Sequence, residues 1–413
     1  MKENGILVFA GWEDDEIIGI IRRNVIGGEE VTSFEYDNTW IQKHPQLLLD
    51  PTILLMPYRN FPKDKKLFGA FQDSCPDRWG RRLIDRRESL RAAEEGCHPK
   101  HFFDTDYMLA VQDELRNGGF RYKISENDEF VSHDPLPVPP ISSIRDLEQI
   151  SLGYENGDDE RWISQLIAPG SSLGGARPKA NVMDTDGSLW IAKFPSRNDD
   201  YDVGAWEMVV HDLAAECGIA VPEAKLSRYS DLGSTFLSKR FDRAYTLEGK
   251  KRIHFSSALT MLGLRDGATD GYGYLDLAET VQRITKEPKK ELEQLFRRVV
   301  FDIGVSNYDN HFRNHGFLLE ENEWHLSPAY DINPVSNVSH LSINIDEDDG
   351  FRSFDKALET SEYYQLSKEE ARSFVKQIAQ TIAGRWREIA ANYGIKEQEK
   401  KYMAPAFALA AEY

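Results

Sequence analysis

The chain contains Asp309-Asn310-His311-Phe312-Arg313-Asn314, an aspartate followed five positions later by an asparagine. That spacing suits phosphoryl transfer: the aspartate receives or orients the proton of an attacking hydroxyl, and the asparagine offers an amide oxygen to Mg²⁺. Both side chains must reach one cleft, and a single short loop allows it. Leu292, Leu295, Phe296, Val299, Val300 and Ile303 recur at helical steps just before the pair. They predict a helix ending near Gly304 and a loop for the pair itself. Alone the pattern is weak, because a polar turn produces it by chance.

The residues downstream of the pair strengthen it. Gly316-Phe317-Leu318-Leu319 and Trp324-His325-Leu326 predict two short strands across Glu320-Glu321-Asn322-Glu323, and Tyr330-Asp331-Ile332 comes next. Asp331 lies 331 − 309 = 22 residues beyond Asp309. Protein kinases have this order of catalytic loop, hairpin and metal-binding aspartate. Tyr-Asp-Ile stands where they have Asp-Phe-Gly, so their activation-segment logic need not transfer. By itself Asp331 reads as a helix cap or turn residue. Together, Asp309, Asn314 and Asp331 read as a catalytic and metal-binding set.

Upstream, Ser171-Ser172-Leu173-Gly174-Gly175-Ala176-Arg177-Pro178-Lys179 is a candidate phosphate loop. Its glycines allow backbone N–H groups to approach phosphate oxygens. It lacks the G-x-x-x-x-G-K-[ST] pattern, which disfavours a P-loop nucleotidase, and alone it is simply a loop. Lys193 sits inside the apolar stretch Leu189-Trp190-Ile191-Ala192-Lys193-Phe194. Burying an ammonium is costly. Lys193 is therefore either a phosphate ligand or an edge-strand lysine reaching solvent. Glu207, at the opening of the next predicted helix, either pairs with Lys193 or sits in the first turn to suit the helix dipole.

These residues need elements to hold them. Ile6-Leu7-Val8-Phe9 and Ile17-Ile18-Gly19-Ile20-Ile21 predict a hairpin, and Val31-Thr32-Ser33-Phe34-Glu35-Tyr36 a third strand. A helix is predicted over 78–93. Prolines 135, 137, 139 and 140 break the chain. Strands are expected over 180–182 and 188–194, across Asp184-Thr185-Asp186-Gly187, and over 235–241. A helix is expected over 205–217, stopped by Gly218. Ser367-Lys368-Glu369-Glu370 opens a later helix as a capping box.

The 413 residues carry 50 Lys+Arg against 69 Asp+Glu, a net charge of −19. That argues against a stand-alone nucleic-acid binder, which needs clustered cations. A 40% hydrophobic content excludes a disordered chain. Cys75, Cys97 and Cys217 are too far apart for a metal motif or a disulfide framework. Four acids near the start (Glu13, Asp14, Asp15, Glu16) do not suit a secretory signal, and no apolar run spans a bilayer. The expectation is a cytoplasmic protein with no membrane contact.

The chain resembles the HipA-type serine/threonine kinases of bacterial toxin–antitoxin modules. The likeness covers most of its length. Asp73-Ser74-Cys75-Pro76-Asp77-Arg78-Trp79-Gly80 looks like the family's D-S-L-P-D-x-W-G stretch, with Cys75 for the usual Leu. The phosphate loop, Ile191-Ala192-Lys193, residues 309–314 and Pro328-Ala329-Tyr330-Asp331 match further family motifs. The resemblance implies an α+β, protein-kinase-like bilobal fold. Its parts would be an accessory N-terminal α/β subdomain (1–131), a Pro-rich linker (132–143), a β-rich N-lobe (144–245) and an all-helical C-lobe (246–413).

It further implies ATP and Mg²⁺ as cofactors. Asp309 would be catalytic, with Asn314 and Asp331 on the metal. Ser172, Gly174, Gly175, Ala176, Arg177, Lys179, Lys193, Lys239, Phe241, His311, Asn314 and Asp331 would contact nucleotide. The hinge Lys239-Arg240-Phe241 has a lysine where well-known members have an acid, a change that backbone contacts to adenine should survive. The family phosphorylates a serine in its own Gly-rich loop, here Ser172 or its neighbour Ser171. Phosphate there would add about −1.5 to −2 charge and expel the loop from the nucleotide site. The implied partners are a HipB-type DNA-binding antitoxin, with DNA reached only through it, and a protein substrate such as an aminoacyl-tRNA synthetase. Two other readings keep the motifs: a small-molecule kinase of the aminoglycoside type, and a nucleotide-binding scaffold acting as co-repressor with the antitoxin.

Overall fold

A computed structural model of the chain describes residues 4–63, 67–132, 138–156, 166, 177–246, 249–267 and 269–413. Its contacts divide it into two compact units. One comprises Met1–Ser196 and Arg240–Ser256, the other Arg197–Lys239 and Ser257–Tyr413. This division follows a different line from the four expected segments. The stretch 240–256 joins the N-terminal unit, and 197–239 joins the C-terminal one.

The first unit is built on an antiparallel sheet in the order β3-β2-β1-β4, from β1 (Asn4–Ala10), β2 (Glu16–Ile26), β3 (Glu29–Tyr36) and β4 (Phe120–Lys123). The predicted hairpin and third strand are these elements; β4 carries no strong local signal. Ile26 pairs with Glu29 across Gly27 and Gly28, both at positive φ (62° and 86°), the two-residue turn that glycine favours. Ile6, Val8, Ile18, Ile21 and Phe34 are buried, as are Trp40, Phe71 and Phe120. The predicted helix is Arg78–Glu95. The Asp77 side chain caps it at one end, and Gly96 at φ 63° ends it.

β5 (Lys179–Met183) and β6 (Leu189–Lys193) form the expected hairpin, paired from Met183↔Leu189 to Lys179↔Lys193. A helix at Ile144–Asn156 precedes them. The strand expected over 235–241 ends at Lys239. Beyond it Arg240 is buried and donates to Asn181 Oδ1 (2.9 Å), the Leu115 carbonyl (2.7 Å) and Asp242 Oδ2 (2.6 Å).

In the second unit, the apolar stripe lies on the helix Pro288–Val305. Leu292, Leu295, Phe296, Val299, Val300 and Ile303 are fully buried. The helix Lys368–Asn392 packs on it through its own buried face of Val375, Ile378 and Ile382. Its capping box is present: Ser367 Oγ accepts from Glu370 N, and the Glu370 carboxylate accepts from Ser367 N at 2.8 Å. The helix Val203–Glu216 begins two residues earlier than expected, capped by Asp202. Glu207 is therefore in the second turn and buried, so a first-turn dipole no longer accounts for it. The predicted strands downstream of the pair form the hairpin Gly316–Glu320 with Glu323–Leu326, which lies between helices of the second unit.

Candidate active site

The predicted site residues fall in both units, and each unit holds its own group. Ser172, Gly174, Gly175 and Ala176, with the alternative Ser171, lie outside the described residues. Arg177, Lys179, Lys193 and Phe241 belong to the first unit, and Lys239, Asp309, His311, Asn314 and Asp331 to the second.

In the second unit, the helix Pro288–Val305 ends at Ser306, which adopts a left-handed conformation (φ 60°). The chain then enters the loop bearing the Asp…Asn pair. Asp309 and His311 are exposed, and the Asp309 carboxylate accepts no hydrogen bond among the described residues. Asn314 Nδ2 donates to the Asp309 carbonyl at 2.8 Å. This bond spends the amide nitrogen on the loop and leaves Oδ1 as the free end of Asn314, the atom that a hard cation needs.

Asp331 is half-buried at φ 58°, a conformation that aspartate tolerates better than most residues. Its segment is tied to the Asp309 loop from both sides. The Tyr330 hydroxyl donates to the Arg313 carbonyl at 2.7 Å, and Asn333 N donates to Asn307 Oδ1 at 3.1 Å. Val335 N adds a bond to the Ser306 carbonyl at 3.0 Å. The structure thus brings Asp309, Asn314 and Asp331 onto two loops that hold each other.

Sequence reasoning missed the layer below. Asp302, on the last turns of the same helix, is fully buried and accepts from Tyr274 Oη (2.6 Å), Asn307 Nδ2 (2.9 Å) and Asn310 Nδ2. Burial pushes its pKa up to about 7, although Tyr274, Asn307 and Arg298 favour the ionised form. Burial also raises the Tyr274 hydroxyl far above its ordinary range, with Asp302 adding to the effect. Arg298 donates to the Ser327 carbonyl at 2.6 Å, and burial pulls its pKa down to about 10. His315 is buried, both ring nitrogens lack a hydrogen-bond partner, and burial lowers its pKa to about 3, so it is neutral. A cavity of about 10 Å³, room for roughly one water, is lined by Asp302, Asn310, Asn314, His315 and Tyr330. The available signal was a charge on the buried stripe: Asp302 lies seven residues after Leu295 on one helix face.

In the first unit, Lys179 and Lys193 are directly opposed across the hairpin. Like charges so placed repel. Arg177 lies two residues before Lys179. Phe241 packs against Phe255, ring centroids 6.2 Å apart. In the second unit, Lys239 pairs with Glu223 at 3.0 Å, and its backbone N–H bonds to the Glu223 carbonyl at 2.8 Å.

The donor set fits Mg²⁺. Asp331 would offer carboxylate oxygens and Asn314 its amide oxygen. Such a site suits an ion that arrives with phosphate and water as its other ligands. Among the described residues, no helix is long and apolar enough to cross a membrane.

Comparison with known proteins identifies the family and the fold. A curated relative, Y4mE of Sinorhizobium fredii (strain NBRC 101917 / NGR234), named as a proposed kinase, is 27% identical over 361 residues, covering 81% of this chain and 78% of its own length. Among solved structures, HipA of Shewanella oneidensis MR-1, in complex with HipB and operator DNA, superposes with a TM-score of 0.66. It is 15% identical, and the match covers 98% of this chain and 96% of that one, so the two share a fold. The model of the HipA N-terminal domain matches residues 12–96. The model of the HipA-like C-terminal domain matches residues 171–386, more than half of the chain, and the chain therefore belongs to the HipA family.

Proposed function

We propose that this chain is an ATP- and Mg²⁺-dependent serine/threonine protein kinase. One observation carries the reading. The loops bearing Asp309 and Asp331 are locked together by the Tyr330–Arg313 and Asn333–Asn307 hydrogen bonds, with Asn314 turned so that its oxygen is free. Asp309, exposed and without a hydrogen-bond partner among the described residues, accepts the proton of the attacking hydroxyl. Asn314 Oδ1 and Asp331 hold Mg²⁺, which when bound neutralises charge on the transferring phosphoryl group. Lys179, Lys193 and Arg177 take the nucleotide phosphates, with Gly174, Gly175 and Ala176 completing the loop. Lys239 and Phe241 meet the adenine, and His311 lies at the nucleotide's edge. Self-phosphorylation at Ser172 would switch the site off.

The partner would be a HipB-type antitoxin, supplying the cationic DNA surface that a chain of net charge −19 lacks. The substrate would be a translation component such as an aminoacyl-tRNA synthetase. The test is phosphoproteomics of cells expressing the chain beside its Asp309→Ala variant, with mass spectrometry of the purified protein after incubation with ATP and Mg²⁺. Phosphosites on other proteins and on Ser172, absent in the variant, are expected. Transfer only to a small hydroxyl compound would replace this reading by a small-molecule kinase. No transfer at all, with ATP still bound, would leave a scaffold.

A further inference from the structure

The segment Asp73-Ser74-Cys75-Pro76-Asp77-Arg78-Trp79-Gly80 has no chemistry of its own in the site described above. Trp79 gives it a role. The residue is 1% exposed, at the start of the helix Arg78–Glu95, with its ring edge-on to Tyr154 at 5.7 Å. A buried indole N–H needs an acceptor. It finds the backbone carbonyl of Lys179 at 2.8 Å, 100 residues further along the chain.

That carbonyl is available because of the hairpin's register. Phe194 N donates to the Pro178 carbonyl at 3.0 Å, so 178 and 194 are a hydrogen-bonded pair. The next pair, Lys179 and Lys193, is then a non-hydrogen-bonded one. In such a pair the backbone polar groups point away from the partner strand, while the two side chains rise close together on one face. The outward carbonyl of Lys179 is the one that Trp79 takes. The indole thus clamps the strand at the residue directly opposite Lys193.

We infer that Trp79 is a positioning residue: through the Lys179 carbonyl it sets the register and height of the Lys179–Lys193 pair for an incoming polyphosphate. The inference rests on the reading of these lysines as phosphate ligands.

The test uses the full chain with two replacements, Trp79→Phe and Trp79 to 3-benzothienylalanine, which keeps the ring shape and puts sulfur in place of N–H. Dissociation constants for ATP and for adenosine, which has no phosphate, are measured by calorimetry. ATP binding should weaken roughly three- to tenfold, the worth of one positioned hydrogen bond, while adenosine binding stays unchanged. Should the phenylalanine variant not fold, the isosteric variant supplies the measurement. Equal weakening of ATP and adenosine, or no change in either, overturns the inference. Lys193→Ala separates it from the reading beneath. If Lys193→Ala leaves ATP affinity intact, the phosphate role fails and Trp79's role with it. If Lys193→Ala weakens ATP and the Trp79 variants do not, only the Trp79 role falls.

Discussion

The Tyr274 hydroxyl donates a 2.6 Å hydrogen bond to the buried Asp302 carboxylate. The same carboxylate takes Asn307 and Asn310, residues on either side of Asp309. One buried acid therefore holds the backbone around an exposed one. Asp309 can face solvent and still be fixed, because its neighbours carry the anchoring.

This arrangement has a pH signature. Asp302 titrates at about 7 in the fold, raised chiefly by burial, whereas an unfolded aspartate titrates near 4. Between those values the folded state keeps a proton that the unfolded state has lost. The stability contributed by protonated Asp302 is therefore full below about pH 4 and is lost as the pH rises through about 7. Asp302→Asn removes that dependence. Denaturant unfolding of both proteins should show the variant gaining on the wild type by about 2–3 kcal/mol between pH 5 and pH 8. Parallel profiles would mean that Asp302 is ionised throughout.

Asp309 should behave in the opposite way. It is exposed and supports nothing through its side chain among the described residues. Asp309→Asn should therefore change the unfolding free energy by no more than about 0.5 kcal/mol. Phosphate transfer should fall by roughly 10²- to 10⁴-fold, the usual worth of a positioned general base, with ATP affinity retained. A loss of several kcal/mol of stability with transfer intact would make Asp309 a structural residue.

At Asp331 the backbone sorts the substitutions. Its φ of 58° suits Asp, Asn or Gly and resists a β-branched side chain. Asp331→Asn should fold with nearly wild-type stability but lose the Mg²⁺ dependence of nucleotide binding, since it removes the charge of the proposed metal ligand. Asp331→Val should lose that dependence and, in addition, about 1–2 kcal/mol of stability. Titration of nucleotide binding with Mg²⁺, beside thermal unfolding, reads both effects. Equal stability of the two variants would deny the backbone argument.

The loops proposed to act were more legible in the sequence than the residues that hold them. Asp309, Asn314 and Asp331 could be read because their chemistry demands set residue types at set spacings on loops. The β5–β6 hairpin was legible from its Asp-Thr-Asp-Gly turn, and Ser367–Glu370 from its capping pattern. The opposition of Lys179 and Lys193 follows once that turn is centred, because the pairing runs from Met183↔Leu189. Tyr274 could not be paired with Asp302 in advance, since only the tertiary fold brings together residues 28 apart on two helices. Trp79 and Lys179, 100 residues apart, are the same case. Arg240 is a further case whose partners only the tertiary fold reveals. It sits in the expected hinge between two site residues, yet its guanidinium is consumed by Leu115, Asn181 and Asp242.

Asp242 ties that arginine to the N-terminal segment. Its carboxylate accepts from Arg240 at 2.6 Å, from Arg243 at 2.9 Å and from Gly118 N at 2.8 Å. Arg243 reaches on to the carbonyls of Arg116 and Gly118. Burial lowers the Arg243 pKa to about 9 even with Asp242 beside it. Two buried guanidiniums thus depend on one carboxylate and on carbonyls supplied by residues 114–118. The two arginines also hold Asp242 well below the usual carboxylate range against the effect of burial. Its contribution is present above about pH 4 and is lost as the pH falls further. Asp242→Asn keeps the shape and removes the charge, which leaves the arginines uncompensated. The expected cost is about 3–5 kcal/mol near neutral pH, measured by denaturant unfolding and shrinking toward strong acid, where the wild-type carboxylate is itself protonated. By the same argument a chain lacking residues 1–131 should be strongly destabilised, because Arg240 and Arg243 would keep Asp242 but lose the acceptors supplied by residues 114–118. A truncated chain as stable as the full one, or an Asp242→Asn variant as stable as wild type at pH 7, would show that water can replace those partners.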